Sequence, residues 1–298
     1  TTALIEDSAL QGVGVLNYPD SLKRITVIGE KYDVTGEHLL ETQIKTAKLE
    51  HLGREQVILF DQPLAFEDEH MVQVTIVDNE KDRKPIVPTL IVKEGMIVDG
   101  SEDNPFRIRS VDGLNKMHEF PDRHFVLDED IDGNGAFIDA IGANGIPFTG
   151  TFDGNGHTIT GVVVTSGGAG IFAVNAGVIK NVGIINTDID VRKSNVGMLV
   201  DQNDGIIENA YSTGSIRGNS TVGGLVGYSN GTVKNSYSTA RVNARGRQAG
   251  GVVGITNRGS LTENIYAIGP VSADDANAGG LSGYGYNHTV IQNSIALN

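Results

Sequence analysis

The sequence predicts an all-β protein in which a small β-rich, sandwich-like domain precedes a parallel β-solenoid, a right-handed β-helix. Three observations favour this class. Glycine accounts for 39 of 298 residues, without the strict three-residue period of collagen. Aromatic residues make up 6% and tryptophan is absent, so the core has to consist of Val, Ile, Leu and small residues. The third observation is an internal repeat in the C-terminal half, which points to a solenoid.

Five similar segments form this repeat, and they start 27, 26, 27 and 29 residues apart. Each has a small residue and Gly, an apolar residue, a polar turn, a short apolar run and then Asn. The period is too short for helical-pair repeats of about 33 residues or more, and each Gly inside a helix would cost about 1 kcal/mol. One repeat therefore predicts one turn, whose strands pair in parallel with those of the next turn about 4.8 Å away. The segments begin at Ala169, Val196, Val222, Ala249 and Ala278.

Stacked turns predict ladders of like residues. One Asn recurs in every turn, and its amide is expected to donate to the carbonyl of the neighbouring turn. Tyrosines two residues later are interpreted either as packing or as a column that binds sugar rings. Glycine pairs are expected where φ is positive or where turns approach closely. The residues are Asn181, Asn209, Asn235, Asn264 and Asn293; Tyr211, Tyr237 and Tyr266; and Gly223–Gly224, Gly250–Gly251 and Gly279–Gly280.

The units GGLVG, GGVVG and GGLSG resemble the GLUG-motif repeats of bacterial surface proteins. Segments such as Pro147–Val162 look like the lead-in to those repeats, so the resemblance covers roughly 103–298. It implies a secreted or wall-anchored bacterial protein, because such repeats occur in adhesins and in the non-catalytic N-terminal part of streptococcal IgA-specific zinc metallopeptidases. The motif is structural and supplies no catalytic residues. The first two units lack the second Gly, and the last two place Asn two residues later, which predicts a longer turn or a bulge within Thr256–Ser260 and Tyr284–His288.

The N-terminal region follows different construction rules. Only six glycines precede Met96, and the first 148 residues carry 28 acidic and 14 basic side chains, whereas the remainder is neutral. We expect a small β-rich domain at 1–95, a linker at 96–104 and the solenoid at 105–298. Segment Glu37–Leu52 is interpreted as a helix or a strand pair. The strand candidates are Lys23–Ile28, Gln56–Phe60, Met71–Val77 and Pro88–Val92.

One acidic segment suggests a metal site. The pattern D-x-D-x-D-G, followed by a further Asp at loop position 12, is that of a calcium loop. The alternative is a strand with solvent-facing carboxylates that ends at a D-G-N-G turn. Zinc proteolysis is not expected, since HExxH is absent and Pro121 interrupts the nearest His-Glu string. The candidate calcium ligands are Asp128, Asp130, Asp132 and Asp139.

Basic side chains recur late in successive repeats and are expected to form a positive stripe for a sulfated or sialylated glycan or an acidic partner. The alternative is solvated surface charge. The net charge of −14 disfavours nucleic acid, and no apolar run is long enough to cross a membrane. The stripe consists of Arg192, with Lys193 beside it, Arg217, Arg241, Arg245 and Arg247.

These observations predict a non-catalytic adhesion or spacer module, secreted or attached to a bacterial cell surface, that binds host glycan or an extracellular protein. The first alternative is the substrate-engaging N-terminal region of an immunoglobulin-cleaving metalloprotease. The second is a glycan-active β-helix enzyme, for which the repeats offer only scattered carboxylates: Asp188, Asp190, Asp201, Asp204 and Glu208. An abrupt last repeat and a first residue other than Met suggest a fragment or a processed chain.

Overall fold

The computed structural model describes residues 24–32, 39–52, 55–60, 71–78, 90–92, 100–102, 105–286 and 288–298. The chain divides into two compact units, Thr1–Ile108 and Arg109–Asn298. Most of the expected linker, 96–104, lies outside the described residues, and the domain boundaries stay a prediction. Among the described residues, we find no helix with the length and apolar character needed to cross a membrane.

Strands make up most of the described part of the first unit. They are β1 Arg24–Tyr32, β2 Leu39–Leu52, β3 Glu55–Phe60, β4 Met71–Asp78, β5 Leu90–Val92 and β6 Phe106–Ile108. The first five form one sheet with the order β3-β2-β1-β4-β5, and all of its pairings are antiparallel. The described parts of the four strand candidates lie in β1, β3, β4 and β5.

The segment Glu37–Leu52 is neither a helix nor a strand pair in its described part, because β2 is one long strand that pairs with β1 and β3. The side chains of Thr42, Ile44 and Thr46 are all exposed, which is the period of two of a strand. The β-rich region is thus confirmed in outline. Its sandwich-like character stays a prediction, because the described strands of this unit contain one antiparallel sheet.

The second unit begins with a short helix and continues almost entirely as strands. They are α1 Val111–Lys116, a 3-10 turn Met117–Glu119, β7 His124–Leu127, β8 Ile131–Asp132, β9 Phe137–Asp139, β10 Thr151–Asp153, β11 Thr158–Thr160, β12 Val163–Ser166, β13 Phe172–Asn175, β14 Val178–Lys180, β15 Gly183–Asp190, β16 Val196–Gly197, β17 Val200–Asn203, β18 Ile206–Glu208, β19 Tyr211–Gly218, β20 Thr221–Gly223, β21 Val226–Ser229, β22 Thr232–Lys234, β23 Tyr237–Ser238, β24 Arg241–Ala244, β25 Gln248–Gly250, β26 Val253–Thr256, β27 Leu261–Glu263, β28 Tyr266–Ala267, β29 Val271–Ala273, β30 Asn277–Gly279, β31 Ser282–Gly285, β32 Val290–Gln292 and β33 Ile295–Ala296.

These strands stack into a parallel β-solenoid of about six turns, as predicted; its handedness stays a prediction. Four columns of strands run along the stack. Column one contains β16, β20, β25 and β30; column two β13, β17, β21, β26 and β31; column three β7, β10, β14, β18, β22, β27 and β32; column four β8, β11, β15, β19, β23, β28 and β33. The second half of β19, Ser215–Gly218, pairs with β24, which in turn pairs with β29. Strands β9 and β12 form a separate pair.

The repeat predicted from sequence sets the register. Val196 pairs with Val222 and Ala249 with Ala278, so the aligned segment starts are neighbours in column one. The two longer turns also occur where the spacing placed them. Two residues separate β21 from β22, but Asn257–Ser260 separates β26 from β27. The insertion is therefore absorbed in the turn, and the columns continue without a shift.

The glycine pairs are needed for close approach rather than for positive φ. A Cβ atom on Gly223 would lie 1.8 Å from the Val226 carbonyl oxygen, and one on Gly224 would lie 2.2 Å from that of Gly251. Neither residue has a positive φ. At these corners the backbone occupies the space that a side chain would take.

A row of five alternating charges runs along column three; four of them directly precede a ladder Asn, and the first precedes Gly154. Asp153, Lys180, Glu208, Lys234 and Glu263 are neighbours in register. Lys180 Nζ lies 3.2 Å from Asp153 Oδ2, and Lys234 Nζ lies 3.0 Å from Glu208 Oε2. Alternation avoids the repulsion that stacked like charges would cause. Asp153 precedes the first repeat segment, so the row of alternating charge extends beyond the GLUG-like units.

Candidate functional site

The five predicted ladder asparagines occupy one position in successive turns, directly after each strand of column three. All have left-handed backbones, with φ between 50° and 55°, a conformation that Asn enters more readily than other non-Gly residues. Nδ2 of Asn209 donates to Oδ1 of Asn181 at 3.0 Å, and Asn264 donates likewise to Asn235 at 3.0 Å. The ladder of side-chain hydrogen bonds is interrupted between Asn209 and Asn235, because Asn235 donates to Glu208 Oε1 instead. The residues are aligned, and their shared property is the backbone conformation.

A second polar ladder lies inside the solenoid. Asn175 and Asn203 are fully buried at the ends of column-two strands. Nδ2 of Asn175 donates to Oδ1 of Asn203 at 2.8 Å, and Asn203 donates to the Ser229 hydroxyl at 3.3 Å. These bonds satisfy amides that would otherwise be buried without partners. Sequence reasoning missed this ladder, although its residues recur just before the turn of each repeat.

The tyrosine column forms a stack. Ring centroids of Tyr211 and Tyr237 are 4.9 Å apart, and those of Tyr237 and Tyr266 are 4.5 Å apart, with planes within 6° of parallel. Burial raises the pKa of the Tyr237 hydroxyl, and the neighbouring tyrosines raise it further. At the other end, the Tyr211 ring covers Gly183, where a Cβ would lie 2.3 Å from the ring. Because a bound sugar needs an open ring face, the geometry favours packing.

The four carboxylates of the expected calcium loop are not brought together. Asp128 accepts two bonds from the Arg109 guanidinium, at 2.6 and 2.9 Å. Asp130 Oδ1 accepts the Thr158 N–H at 2.8 Å, a bond that lowers the pKa of its carboxyl. The other two turn elsewhere: Asp132 accepts the N–H of Asn134 and Asp139 the hydroxyl of Ser166.

No three His, Cys, Asp or Glu side chains that could hold a metal gather anywhere in the described part of the chain. The predicted loop segment is instead two short strands joined by a turn, β8 and β9. Alternate residues of an extended segment point in opposite directions, whereas a calcium loop curls its ligands inward. This corrects the calcium expectation for Asp128, Asp130, Asp132 and Asp139.

Three arginines of the predicted stripe, Arg192, Arg217 and Arg245, lie near the carboxylate of Asp190. The Arg245 guanidinium reaches back across two turns to Asp190 Oδ1, and also donates to the Val191 carbonyl at 2.9 Å. The hydrogen bond from Arg245 to Asp190, together with the nearby charges of Arg217 and Arg192, lowers the pKa of the Asp190 carboxyl. Sequence reasoning named Asp190 only as a scattered acid. Aligning the repeats would have placed it beside Arg217, its partner in register.

Arg217 and Arg241 lie on adjacent strands, β19 and β24, and both side chains are exposed. Arg217 Nε donates to Asn243 Oδ1 at 2.9 Å, which fixes its guanidinium on the surface. The two arginines line a shallow groove of about 210 Å³ together with Asp188, Asp190, Ser215 and Asn243. An arginine presents several N–H groups in a planar fork, so this groove suits a carboxylate or sulfate group.

Asp201 is a buried carboxylate that sequence reasoning also recorded only as a scattered acid. Its oxygens accept backbone N–H groups from Ala169 at 2.7 Å, Gly170 at 3.0 Å and Gly197 at 3.2 Å. Burial raises the pKa of its carboxyl to about 6, although these bonds and Lys193 act in the opposite direction. The two following turns have Gly227 and Gly254 at the position of column two that Asp201 occupies. The buried carboxylate therefore does not recur in those turns.

The acids considered for a glycan-active enzyme are dispersed. Asp188 and Asp190 lie on β15, Asp201 is buried in column two, and Glu208 pairs with Lys234 in column three. Asp204, at the turn after β17, accepts Nδ2 of Asn230. Glycosidases of the usual kind need two carboxyl groups flanking one bond, and Asp188 with Asp190 is the one close pair among these five.

Comparisons with known proteins agree with this geometry. The family model described as Glug, the GLUG motif, matches residues 218–243. A sequence relative is Halomucin of Haloquadratum walsbyi (strain DSM 16790 / HBSQ001), 34% identical over 138 residues, or 41% of this chain. The match spans 2% of Halomucin. The predicted resemblance to GLUG-motif repeats is thereby confirmed.

A solved structure shares the fold. It is described as a "putative immunoglobulin A1 protease" from Bacteroides ovatus. The two chains superpose with a TM-score of 0.61 and 27% identity, covering 67% of this chain and 68% of the other. The chain thus contains a parallel β-solenoid with a GLUG motif at 218–243.

Proposed function

We propose that this chain is a non-catalytic binding and spacer module of an extracellular bacterial protein, and that the groove of Arg217 and Arg241 binds an anionic glycan. The observation that carries the proposal is the position of these two exposed arginines on neighbouring strands. Residues two apart on adjacent strands of one face lie about 8 Å apart. That separation allows one sulfated or sialylated oligosaccharide to contact both guanidinium groups.

The stack itself supports the spacer role. Backbone bonds join each turn to the next, and the polar ladders and the charge row add side-chain contacts along the same direction. A solenoid built from such nearest-neighbour contacts holds its surface residues at fixed intervals. Extracellular location is proposed on the resemblance to Halomucin and to the Bacteroides ovatus structure.

The test is a glycan array that includes sulfated and sialylated oligosaccharides, read with the wild type and with the double variant Arg217→Gln/Arg241→Gln. Loss of two ionic contacts should weaken binding at least about tenfold, and binding should fall with salt. Arg258→Gln is the matched control, because Arg258 is exposed on the turn before β27. Equal binding by the double variant and the wild type would rule out this groove.

A second candidate function is the substrate-engaging region of an immunoglobulin-cleaving protease, favoured by the Bacteroides ovatus relative. It predicts binding to immunoglobulin A rather than to free glycans. Surface plasmon resonance against immunoglobulin A before and after removal of its glycans separates the two candidates. Binding that survives deglycosylation and the arginine substitutions would favour the protease-associated role.

A further inference from the structure

Two strand edges face each other without pairing where the early turns meet the repeat turns. β12 pairs with β9 of the preceding turn. The outer half of β15, Thr187–Asp190, pairs with β19 of the following turn, whereas towards the preceding turn β15 pairs with β11 only at Gly183 and Ile184. In a stack of turns, the free edge of β12 and the free edge of Thr187–Asp190 therefore point towards one another.

The peptide groups along these edges can be assigned. Val191 N–H donates to the Arg217 carbonyl of the next turn, and Val163 N–H donates to the Ala136 carbonyl of the preceding one. Along a strand, the peptide groups of successive residues point to alternate sides. The peptide groups of Asp188 and Asp190 on β15 therefore point into the space between β15 and β12. The peptide group of Val164 on β12 points into the same space from the opposite side.

That space is a groove of about 180 Å³, which we call the open slot; Val162–Val164 and Thr187–Val191 form its two sides. Its floor is apolar and includes Ile171 and Met198. Ile189 is half-buried here, whereas its register partner Ile216 is 1% exposed and Val242, one turn further, is 0% exposed. A strand added in the slot would complete the cover over Ile189.

The charges around the open slot indicate which side chains a bound strand should have. Asp188 is exposed at the rim and accepts the Ser215 hydroxyl at 2.6 Å, whereas Asp190 has Arg245 and other arginines around it. In the following turn the register partner of Asp188 is Ser215, and in the turn after that the same position is Arg241. An occupant with a basic residue beside Asp188, an apolar residue at Ile189 and a neutral residue beside Asp190 would match the slot. The sequence Arg241-Val242-Asn243 has this pattern.

We propose that the open slot receives an extended segment of a partner protein, which adds a β-strand between β12 and Thr187–Asp190 and places a basic side chain against Asp188. Main-chain hydrogen bonds on both edges would provide affinity, and the alternation of basic and apolar residues would provide specificity. The open slot and the proposed glycan groove bind different ligands, because the slot forms hydrogen bonds with a peptide backbone and the groove binds an anionic glycan.

The probe is a fluorescent peptide with the sequence of residues 238–246, STARVNARG, titrated into the full chain. We expect saturable binding, and at least about tenfold slower amide exchange at Asp188 and Asp190, read by NMR, without change at Ile189 and Val191. A probe with Glu in place of the first Arg should bind at least about tenfold more weakly.

Two variants localise the site. Val164→Pro removes an N–H that points into the slot, and Asp188→Lys reverses the rim charge; both should weaken the peptide at least about tenfold. Asp275→Lys is the control of equal charge change at an exposed position outside the slot. If Val164→Pro fails to fold, Asp188→Lys decides.

The proposal is overturned if STARVNARG does not bind up to about 1 mM, or binds without slowing exchange at Asp188 and Asp190. Equal binding of the Glu probe would also overturn it. Failure of the glycan proposal is distinguishable, because Arg217→Gln/Arg241→Gln should lose the glycan and retain the peptide.

Discussion

The early turns and the repeat turns of the solenoid fill their interiors with different side chains. In the early turns and the first repeat segment, Phe125, Phe148, Phe152 and Phe172 fill the interior, with neighbouring ring centroids 5.2 to 6.2 Å apart. In the later repeat segments, aliphatic side chains such as Val226 and Val253 are fully buried instead. Close backbone approach occurs in both regions, because a Cβ on Gly150 would lie 1.7 Å from the Arg123 carbonyl oxygen and one on Gly223 would lie 1.8 Å from that of Val226. The comparison teaches that the GLUG-like pattern marks where aliphatic and small residues replace aromatic rings, while the tight stacking of the backbone is common to both regions. The open slot lies where one arrangement gives way to the other.

The largest effect is expected from emptying the early core. Phe152 is fully buried, so Phe152→Ala should lower the free energy of unfolding by about 4 kcal/mol. Chemical denaturation followed by circular dichroism measures it. Val233→Ala, a smaller deletion in the repeat turns, should cost less, and equal losses would contradict the contrast between the two cores.

Adding volume should damage the repeat turns. Gly223→Ala places a Cβ 1.8 Å from the Val226 carbonyl oxygen, and the forced backbone shift should cost about 3 kcal/mol. The control is Gly259→Ala, where φ is +82° but nothing lies within 4 Å; strain alone should cost about 1 kcal/mol. A larger loss at Gly259 than at Gly223 would show that backbone conformation, rather than crowding, demands these glycines.

A pH dependence is expected from Asp201, which links Ala169 and Gly170 to the following turn. Its carboxyl has a pKa of about 6 in the folded chain, against an ordinary value of 3.8. The folded state therefore holds the proton more tightly, and the contribution to stability is lost as pH rises from about 4 to about 6.

The size of that loss is on the order of 3 kcal/mol. Other carboxyls, including Asp153, have lowered pKa values and act with the opposite sign. The measurement is therefore the difference between the wild type and Asp201→Asn in denaturation series from about pH 4 to pH 7. A difference that does not vary with pH would contradict the role given to Asp201.

The smallest effect separates two roles of the ladder asparagines. Asn235 has φ of 52° and donates to Glu208. Asn235→Ala should cost about 2–3 kcal/mol, because Ala is strained in this conformation and also loses the hydrogen bond. Asn235→Gly relieves the strain and should cost only about 1 kcal/mol for the lost hydrogen bond. If Gly proves as damaging as Ala in thermal denaturation, the side-chain ladder matters more than the backbone.

The repeat made much of the solenoid predictable. Aligned starts at Val222 and Ala249 became register partners, and the later Asn264 correctly indicated a longer turn. Whether Gly223 served conformation or approach could not be decided from sequence, because the colliding atom belongs to a folded corner. The charge row occupies the position before four of the five ladder asparagines, a regularity that the sequence analysis did not predict.

The candidate site was less predictable because its contacts depend on distance across turns. Arg245 and Asp190 are 55 residues apart, and no local pattern joins them. The calcium interpretation failed for a related reason: Asp128 and Asp130 resemble a ligand loop in sequence, but each finds a partner elsewhere in the fold. The open slot arises from an absence of pairing, which a sequence repeat cannot show.

The most direct test of the account uses the natural absence of cysteine. Glu208 and Lys234 are register partners in adjacent turns, so their Cα atoms should lie about 4.8 Å apart, within the range of a disulfide. Glu208→Cys/Lys234→Cys should cross-link completely under mild oxidation, as read by mass spectrometry. Glu208→Cys/Glu263→Cys, two turns apart, should stay reduced, and cross-linking of that pair instead would contradict the stacked solenoid.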